Sequence, residues 1–130
     1  MVGATLLVGG KRVRVYSVHL PAPFGVSGGG RRDQVKTLLA DAADSSDPVI
    51  IAGDLNSHGL GEEFVKGGYT WLTRDVGATA SELGVLKLAY DHVFSKGLCP
   101  VSPGPVAGVI RDNRKASDHR PVWVQLDQAW

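Results

Sequence analysis

Val49-Ile50-Ile51-Ala52 is a continuous apolar run that follows Pro48 directly and stops at Gly53. Four uninterrupted apolar residues suit a strand covered on both faces, because a half-exposed strand would alternate apolar and polar positions. Just upstream, Val35, Leu38, Leu39 and Ala42 recur at helical spacing, and neither Gly nor Pro interrupts the chain from Arg31 to Pro48. That spacing predicts one amphipathic helix, ended by Ser45-Ser46-Asp47-Pro48. Further upstream, Ala4 to Val8 and Arg12 to Leu20 flank Gly9-Gly10-Lys11 and predict a β-hairpin. The second hairpin strand, the helix and the apolar strand form a strand–helix–strand unit, so the chain belongs to the α/β class.

Around this unit the chain is less regular. Pro21 to Gly30 holds two prolines and four glycines and is predicted to be a loop without fixed secondary structure. After Ala52 come a polar loop, a short helical turn at Glu62 to Lys66, and candidate strands at Tyr69 to Thr73, Leu88 to Ser95, Val106 to Ile110 and Pro121 to Leu126. Arg74 to Gly84 and Arg111 to Ser117 read as loops. No internal repeat or linker divides residues 1–130, which read as one domain or part of one.

The formal charge is +1 with four histidines counted neutral, so no dominant field draws the chain to nucleic acid or an acidic membrane. A polyanionic substrate has to be held locally. Basic residues gather in Lys11-Arg12-Arg14, Arg31-Arg32-Lys36 and Arg111-Arg114-Lys115-Arg120, a pattern that solvated surface also explains. The single cysteine, Cys99, forms no intrachain disulfide and reads as a small packed residue. No stretch approaches the roughly 20 apolar residues that span a bilayer, and Met1 to Thr5 carries no basic leader. Localisation stays open, cytoplasmic by default.

Three segments carry the chemistry. In Gly53-Asp54-Leu55-Asn56-Ser57, a carboxylate and an amide stand just past the apolar strand, where a rigid sheet end can aim them at a ligand. The carboxylate can take a proton from water and the amide can bond phosphate oxygen, although Gly-Asp-x-Asn also suits an ordinary turn. In Tyr90-Asp91-His92-Val93-Phe94, Asp91 sits in an otherwise apolar strand and needs a donor, either an imidazole or a nearby arginine or amide. His92 alternates to the other face and reads as structural. In Ser117-Asp118-His119-Arg120-Pro121, adjacent Asp118 and His119 can serve as a hard oxygen ligand and a phosphate donor, with Asp91 orienting His119. His19, ending the second strand, is a further candidate for phosphate, while Trp71 and Tyr16 suit core packing better than base stacking.

Taken in order, these segments resemble the C-terminal half of the endonuclease/exonuclease/phosphatase superfamily, whose members include deoxyribonuclease I. Val18-His19-Leu20 is similar to the family's histidine-ending strand, Arg32 to Leu39 to its following helix, Gly53-Asp54-Leu55-Asn56 to its aspartate-asparagine motif, Tyr90-Asp91-His92-Val93-Phe94 to its buried aspartate strand, and Ser117-Asp118-His119-Arg120-Pro121 to its terminal signature. The resemblance implies a four-layer α/β/β/α sandwich of the deoxyribonuclease I type and Mg²⁺-assisted phosphoester hydrolysis, with Mn²⁺ as an alternative cation. It implies that Asp54 orients or deprotonates the attacking water, that Asn56 holds phosphate and water, and that His119 stabilises charge on phosphorus. Asp91 would orient His119, Asp118 would help coordinate the metal, and His19 would bind phosphate or assist the leaving oxygen.

The resemblance also implies a gap. The family's principal metal ligand is a glutamate in an N-terminal half that this chain does not contain, and Glu62, Glu63 and Glu82 do not match its motif. A truncated chain, a split enzyme or a self-associated pair would each account for that. The expected activity is that of a nuclease-like phosphodiesterase on DNA or RNA; a phosphatase acting on a lipid or small phosphate ester, or an inactive binding fragment, are the other readings.

Overall fold

The computed structural model describes residues 1–22, 24, 28–82, 85–112 and 116–127. Parts of the predicted loops at 21–30, 74–84 and 111–117, with the cations Arg114 and Lys115, lie outside the described residues. The predicted hairpin is formed by β1 (Val2–Val8) and β2 (Lys11–His19), antiparallel with Val8 opposite Lys11. Gly9 and Gly10, at φ 57° and 80°, make the two-residue turn whose twist matches the strands.

The strand–helix–strand unit is also present. α1 (Gly28–Ala43) leads into β3 (Val49–Asp54), which lies parallel to β2 with Arg14 opposite Val49 and His19 opposite Asp54. α2 (Gly61–Lys66) and β4 (Thr70–Trp71) follow, then a small hairpin of β5 (Ala80–Glu82) and β6 (Leu86–Leu88). β7 (Asp91–Lys96) runs antiparallel to β3, completing a five-stranded mixed sheet in the order β1-β2-β3-β7-β4. The C-terminal part supplies β8 (Cys99–Pro100), β9 (Ala107–Val109), β10 (Val122–Val124) and β11 (Leu126–Asp127), paired as β9 with β10 and β8 with β11.

The main core lies between one face of the large sheet and the two helices. Tyr16 and Val18 of β2, Val49 and Ile51 of β3 and Phe94 of β7 pack against Val35, Leu38 and Ala42 of α1 and Phe64 of α2. Phe64 and Phe94 are fully buried and stack with ring centroids 4.2 Å apart. Cutting either back to alanine would cost about 3–5 kcal/mol, a large share of a small domain's stability. Trp71 and Tyr16 belong to this core, the packing role expected of them.

The opposite face is covered only in part. Val49 and Ile51 are buried on the helix side, whereas Ile50 and Ala52 between them are half-buried. The expectation of a strand covered on both faces therefore holds fully for the helix face and in part for the other. Leu6, Val8, Val13, Val15 and Ile50 line an open apolar cavity of about 140 Å³ on the second face, against Leu98 and Leu126.

Other local differences have physical causes. α1 begins at Gly28 inside the predicted loop, because burying the Val35, Leu38 and Ala42 stripe carries the helix back through three weak helix formers. β5 lies inside the predicted loop 74–84, a strand three residues long and too short to show alternation. The predicted strand from Leu88 to Ser95 is divided, with Leu88 closing β6 and Asp91 opening β7; Pro121 to Leu126 is likewise divided between β10 and β11. Cys99, expected to be a packed residue, is exposed on β8, where its backbone pairs with Asp127 of β11. Among the described residues no helix is long and apolar enough to cross a membrane.

Candidate active site

Three adjacent strands bring His19, Asp54 and Asp91 into one row. His19 ends β2 opposite Asp54, which ends β3, and Asp54 stands opposite Asp91, which opens β7. Ladder partners project to the same face, so three residues far apart in sequence converge at the rim of the less covered face. Gly53 makes the close approach possible: its φ is 146°, and a Cβ there would lie 1.8 Å from the Val18 carbonyl oxygen. Two backbone bonds hold the strand ends, Leu20 N to Asp54 O at 2.9 Å and Leu55 N to Tyr90 O at 2.9 Å.

His119 reaches the row from outside the large sheet. It forms an antiparallel bridge with Ala80, and Arg120 N donates to Thr79 O at 2.7 Å. His119 Nδ1 lies 2.9 Å from Asp91 Oδ2, a hydrogen bond in which the imidazole donates. Its other nitrogen, Nε2, is 3.9 Å from Asp54 Oδ2, and His19 Nε2 is 3.8 Å from the same oxygen. Asp54 thus stands between two imidazoles, close enough for attraction and too far for hydrogen bonds.

Asp54 and Asn56 are locked to each other. Asn56 N donates to Asp54 Oδ1 at 2.7 Å, while Asn56 Nδ2 donates to Leu20 O at 2.8 Å. Asn56 takes a positive φ of 48°, the left-handed turn that asparagine tolerates. Arg31 of α1 donates from Nη1 to the Asn56 carbonyl at 3.2 Å and so fixes the turn from behind. Nothing in the sequence singled out Arg31 beyond its place in a basic group.

Thr79 was also invisible in the sequence, where it falls within a stretch read as loop. It is fully buried, and its Oγ1 accepts from the backbone amides of both Tyr90 and Asp91 at 3.0 Å. Its backbone carbonyl holds Arg120. One side chain therefore ties the Asp91 strand to the His119 segment. Ser117 Oγ accepts from His119 N at 3.0 Å, turning the chain just before the bridge.

Electrostatics follow from this crowding. Burial raises the Asp54 pKa, and the Asp91 charge adds to it against the Asn56 hydrogen bond and the two histidines. For His119, burial alone would lower the pKa, but the Asp91 hydrogen bond and charge, with Asp54 and Asp118, together raise it. His92 stands apart on the helix face, accepting from Trp71 Nε1 at 3.2 Å on Nδ1 and donating from Nε2 to Ala89 O at 3.0 Å. Burial lowers its pKa to about 4, so it is a neutral structural residue.

Asp54, Asp91 and His119 each offer one ligand atom, all within 4.8 Å of one another. Asp118 lies outside this set and is exposed beside Ser117, with its Oδ1 3.4 Å from Ser117 Oγ. Two carboxylates and an imidazole, with the Asp54 charge partly desolvated by burial, fit a divalent cation that retains several waters. A cavity of about 380 Å³ opens beside them, lined by Asp91, Ser117, His119 and Arg120 and by Ala52 and Val93 of the sheet.

A sequence profile of the endonuclease/exonuclease/phosphatase family matches residues 1–119. The chain belongs to that family. Family members are metal-dependent phosphoesterases, and the α/β architecture described above is the deoxyribonuclease I-like one. Among solved structures, an endonuclease/exonuclease/phosphatase from Beutenbergia cavernae is similar at TM-score 0.72 and 23% identity, over 92% of this chain and 37% of that one. D. rerio TDP2 complexed with a single-strand DNA product matches at 0.70 and 16%, over 96% and 60%. A Bacteroides thetaiotaomicron mannosyl-6-phosphatase matches at 0.64 and 19%, over 92% and 52%. The chain spans about half the length of such structures. No curated protein matches the sequence.

Proposed function

We infer that this chain carries the catalytic residues of a divalent-metal-dependent, nuclease-like phosphodiesterase, as the C-terminal half of its site. The observation that carries this reading is the shared ladder level of His19, Asp54 and Asp91 with His119 bonded to Asp91. A phosphodiester is negatively charged and repels nucleophiles, so hydrolysis needs positive charge and fixed geometry more than unusual reagents.

Each residue then has a distinct part. Asp54, with its raised pKa, takes the proton of the attacking water, and Asn56 holds the phosphate and water through the amide groups not spent on Leu20. His119, kept protonated more readily by Asp91, places its Nε2–H toward the charge that develops on phosphate oxygen. His19, with its side chain 78% exposed, is free to meet the phosphate or the leaving oxygen. Asp54 and Asp91 would hold Mg²⁺ or Mn²⁺, whereas Asp118, the ligand expected from the sequence, lies outside that cluster and acts on the site through its charge at His119. When bound, the cation supplies charge neutralisation at the phosphate. A second half-site, from a missing N-terminal segment or another copy, would supply a further carboxylate and cover the open sheet face.

The experiment is Mg²⁺-dependent cleavage of plasmid DNA beside a chromogenic phosphodiester and a phosphomonoester, with an EDTA control. Cleavage of the two diesters and not the monoester supports the reading, and His119→Ala should lower turnover by about 10²–10⁴-fold with little change in KM. Preference for the monoester would move the assignment to a phosphatase. Folded protein inactive on all three substrates would point to a binding fragment.

A further inference from the structure

A second cavity, of about 200 Å³, lies next to the catalytic one and is lined by Lys87, Arg111 and Arg120 together with Val109 and residues 76–78. Among the described residues no carboxylate lines it. Among the described residues none of the three cations has an ion-pair partner, and Arg120 spends only its backbone amide, on Thr79. They come from separate segments that backbone hydrogen bonds stitch together. Thr79 N donates to Leu88 O at 2.9 Å, which sets β6 and Lys87 beside residues 76–78. Ile110 N donates to Pro121 O at 2.9 Å, which sets Arg111 beside Arg120.

Gathering three like charges around one concavity is unfavourable in the free protein, and an anion seated there removes the repulsion. Arginine and lysine at a polar concavity are the donors that suit phosphate oxygens. The cavity is also connected to the chemistry: Arg120 lines both this cavity and the one holding Asp91 and His119.

We propose that Lys87, Arg111 and Arg120 form a subsite for a second phosphate of the substrate, one other than the phosphate being hydrolysed. The subsite deepens the phosphodiesterase reading and rests on it. It selects substrates that carry at least two phosphates along one chain, as an oligonucleotide does, over those with a single ester. Arg120, standing between the cavities, sets the distance between the two phosphates.

Binding measured in EDTA, so that no ligand is consumed, tests this. The probes are the dinucleotide dTpdT with one phosphate, the trinucleotide dTpdTpdT with two, and inorganic phosphate, each titrated against isotope-labelled protein by NMR. Wild type should bind the trinucleotide about tenfold more tightly than the dinucleotide. Lys87→Gln/Arg111→Gln, both exposed positions, should lose that gap, keep the dinucleotide affinity and keep the thermal midpoint. The salt slope of log K for the trinucleotide should fall by about 0.7 in the same variant, one phosphate contact's worth. Equal affinities in wild type, or a gap that survives in the variant, would overturn the subsite. Inorganic phosphate shifting Lys87 and Arg111 signals without competing with the trinucleotide would overturn it too, showing a free-anion site. Failure of hydrolysis alone would sink the phosphodiesterase reading and leave the affinity gap standing, so the two failures are separable.

Discussion

His119 Nδ1 donates to Asp91 Oδ2 at 2.9 Å across 28 residues of chain, which fixes both the tautomer and the direction of Nε2. Asp91→Asn weakens the hydrogen bond and removes the charge that, together with Asp54 and Asp118, outweigh burial, so the His119 pKa should fall in the variant. NMR titration of the imidazole carbon-bound protons reads this directly, and an unchanged midpoint would refute the coupling. The sign for stability follows. Because the folded value is raised above 6.5, the contact contributes fully below that pH, and the contribution is lost as pH rises through the folded pKa.

Thr79 Oγ1 satisfies two backbone amides at once. Thr79→Val keeps the shape but removes the acceptor of two half-buried amides, which should cost about 1–3 kcal/mol. Thr79→Ser should restore most of that. Urea denaturation midpoints compare the three proteins, and equal stability of the valine and serine variants would show that the hydroxyl does not matter.

His92 imposes an acid limit on the fold. Its folded pKa of about 4 lies below the unfolded 6.5, so its neutral form stabilises fully above pH 6.5 and that stabilisation is lost as pH falls toward 4. The loss from this residue is about 3 kcal/mol. Stability measured by urea titration from pH 7 to pH 4 should decline less steeply in His92→Gln, whose amide can still accept and donate. Parallel curves for the two proteins would contradict the assignment.

Gly53→Ala should be far more harmful than an ordinary glycine replacement. Its Cβ would sit 1.8 Å from the Val18 carbonyl oxygen and in a backbone conformation that alanine disfavours. β2 would have to leave β3, at a cost of at least about 3 kcal/mol, and the His19–Asp54 pairing would separate with it. Thermal unfolding and loss of the amide exchange protection at Val18 to Leu20 would register the change; wild-type protection in the variant would argue against it.

Much of the architecture was legible because it rests on local patterns. The Gly-Gly turn between two apolar runs, the helical recurrence of Val35, Leu38 and Ala42, and the run at Val49 each declare an element through periodicity and turn chemistry. β5 and the true start of α1 did not declare themselves, since a three-residue strand has no readable period and a Gly-rich first turn is helical only because the later turns are buried. The asymmetry of β3, buried at Ile51 and half-buried at Ile50, was equally hidden: an apolar run reads the same whether one face is packed or two.

The α/β class, the residue types of the site and their places beside strands are legible in the chain, because these depend on neighbours a few residues apart. That His19, Asp54 and Asp91 share one ladder level and that His119 bonds Asp91 comes from the packing of distant segments. That packing alone brought Thr79 under the Asp91 strand, Arg31 behind Asn56, and Lys87, Arg111 and Arg120 around one cavity. Strand register and loop packing are set by contacts between distant segments, and a slip of one residue in β2, β3 or β7 would turn His19, Asp54 or Asp91 to the other face.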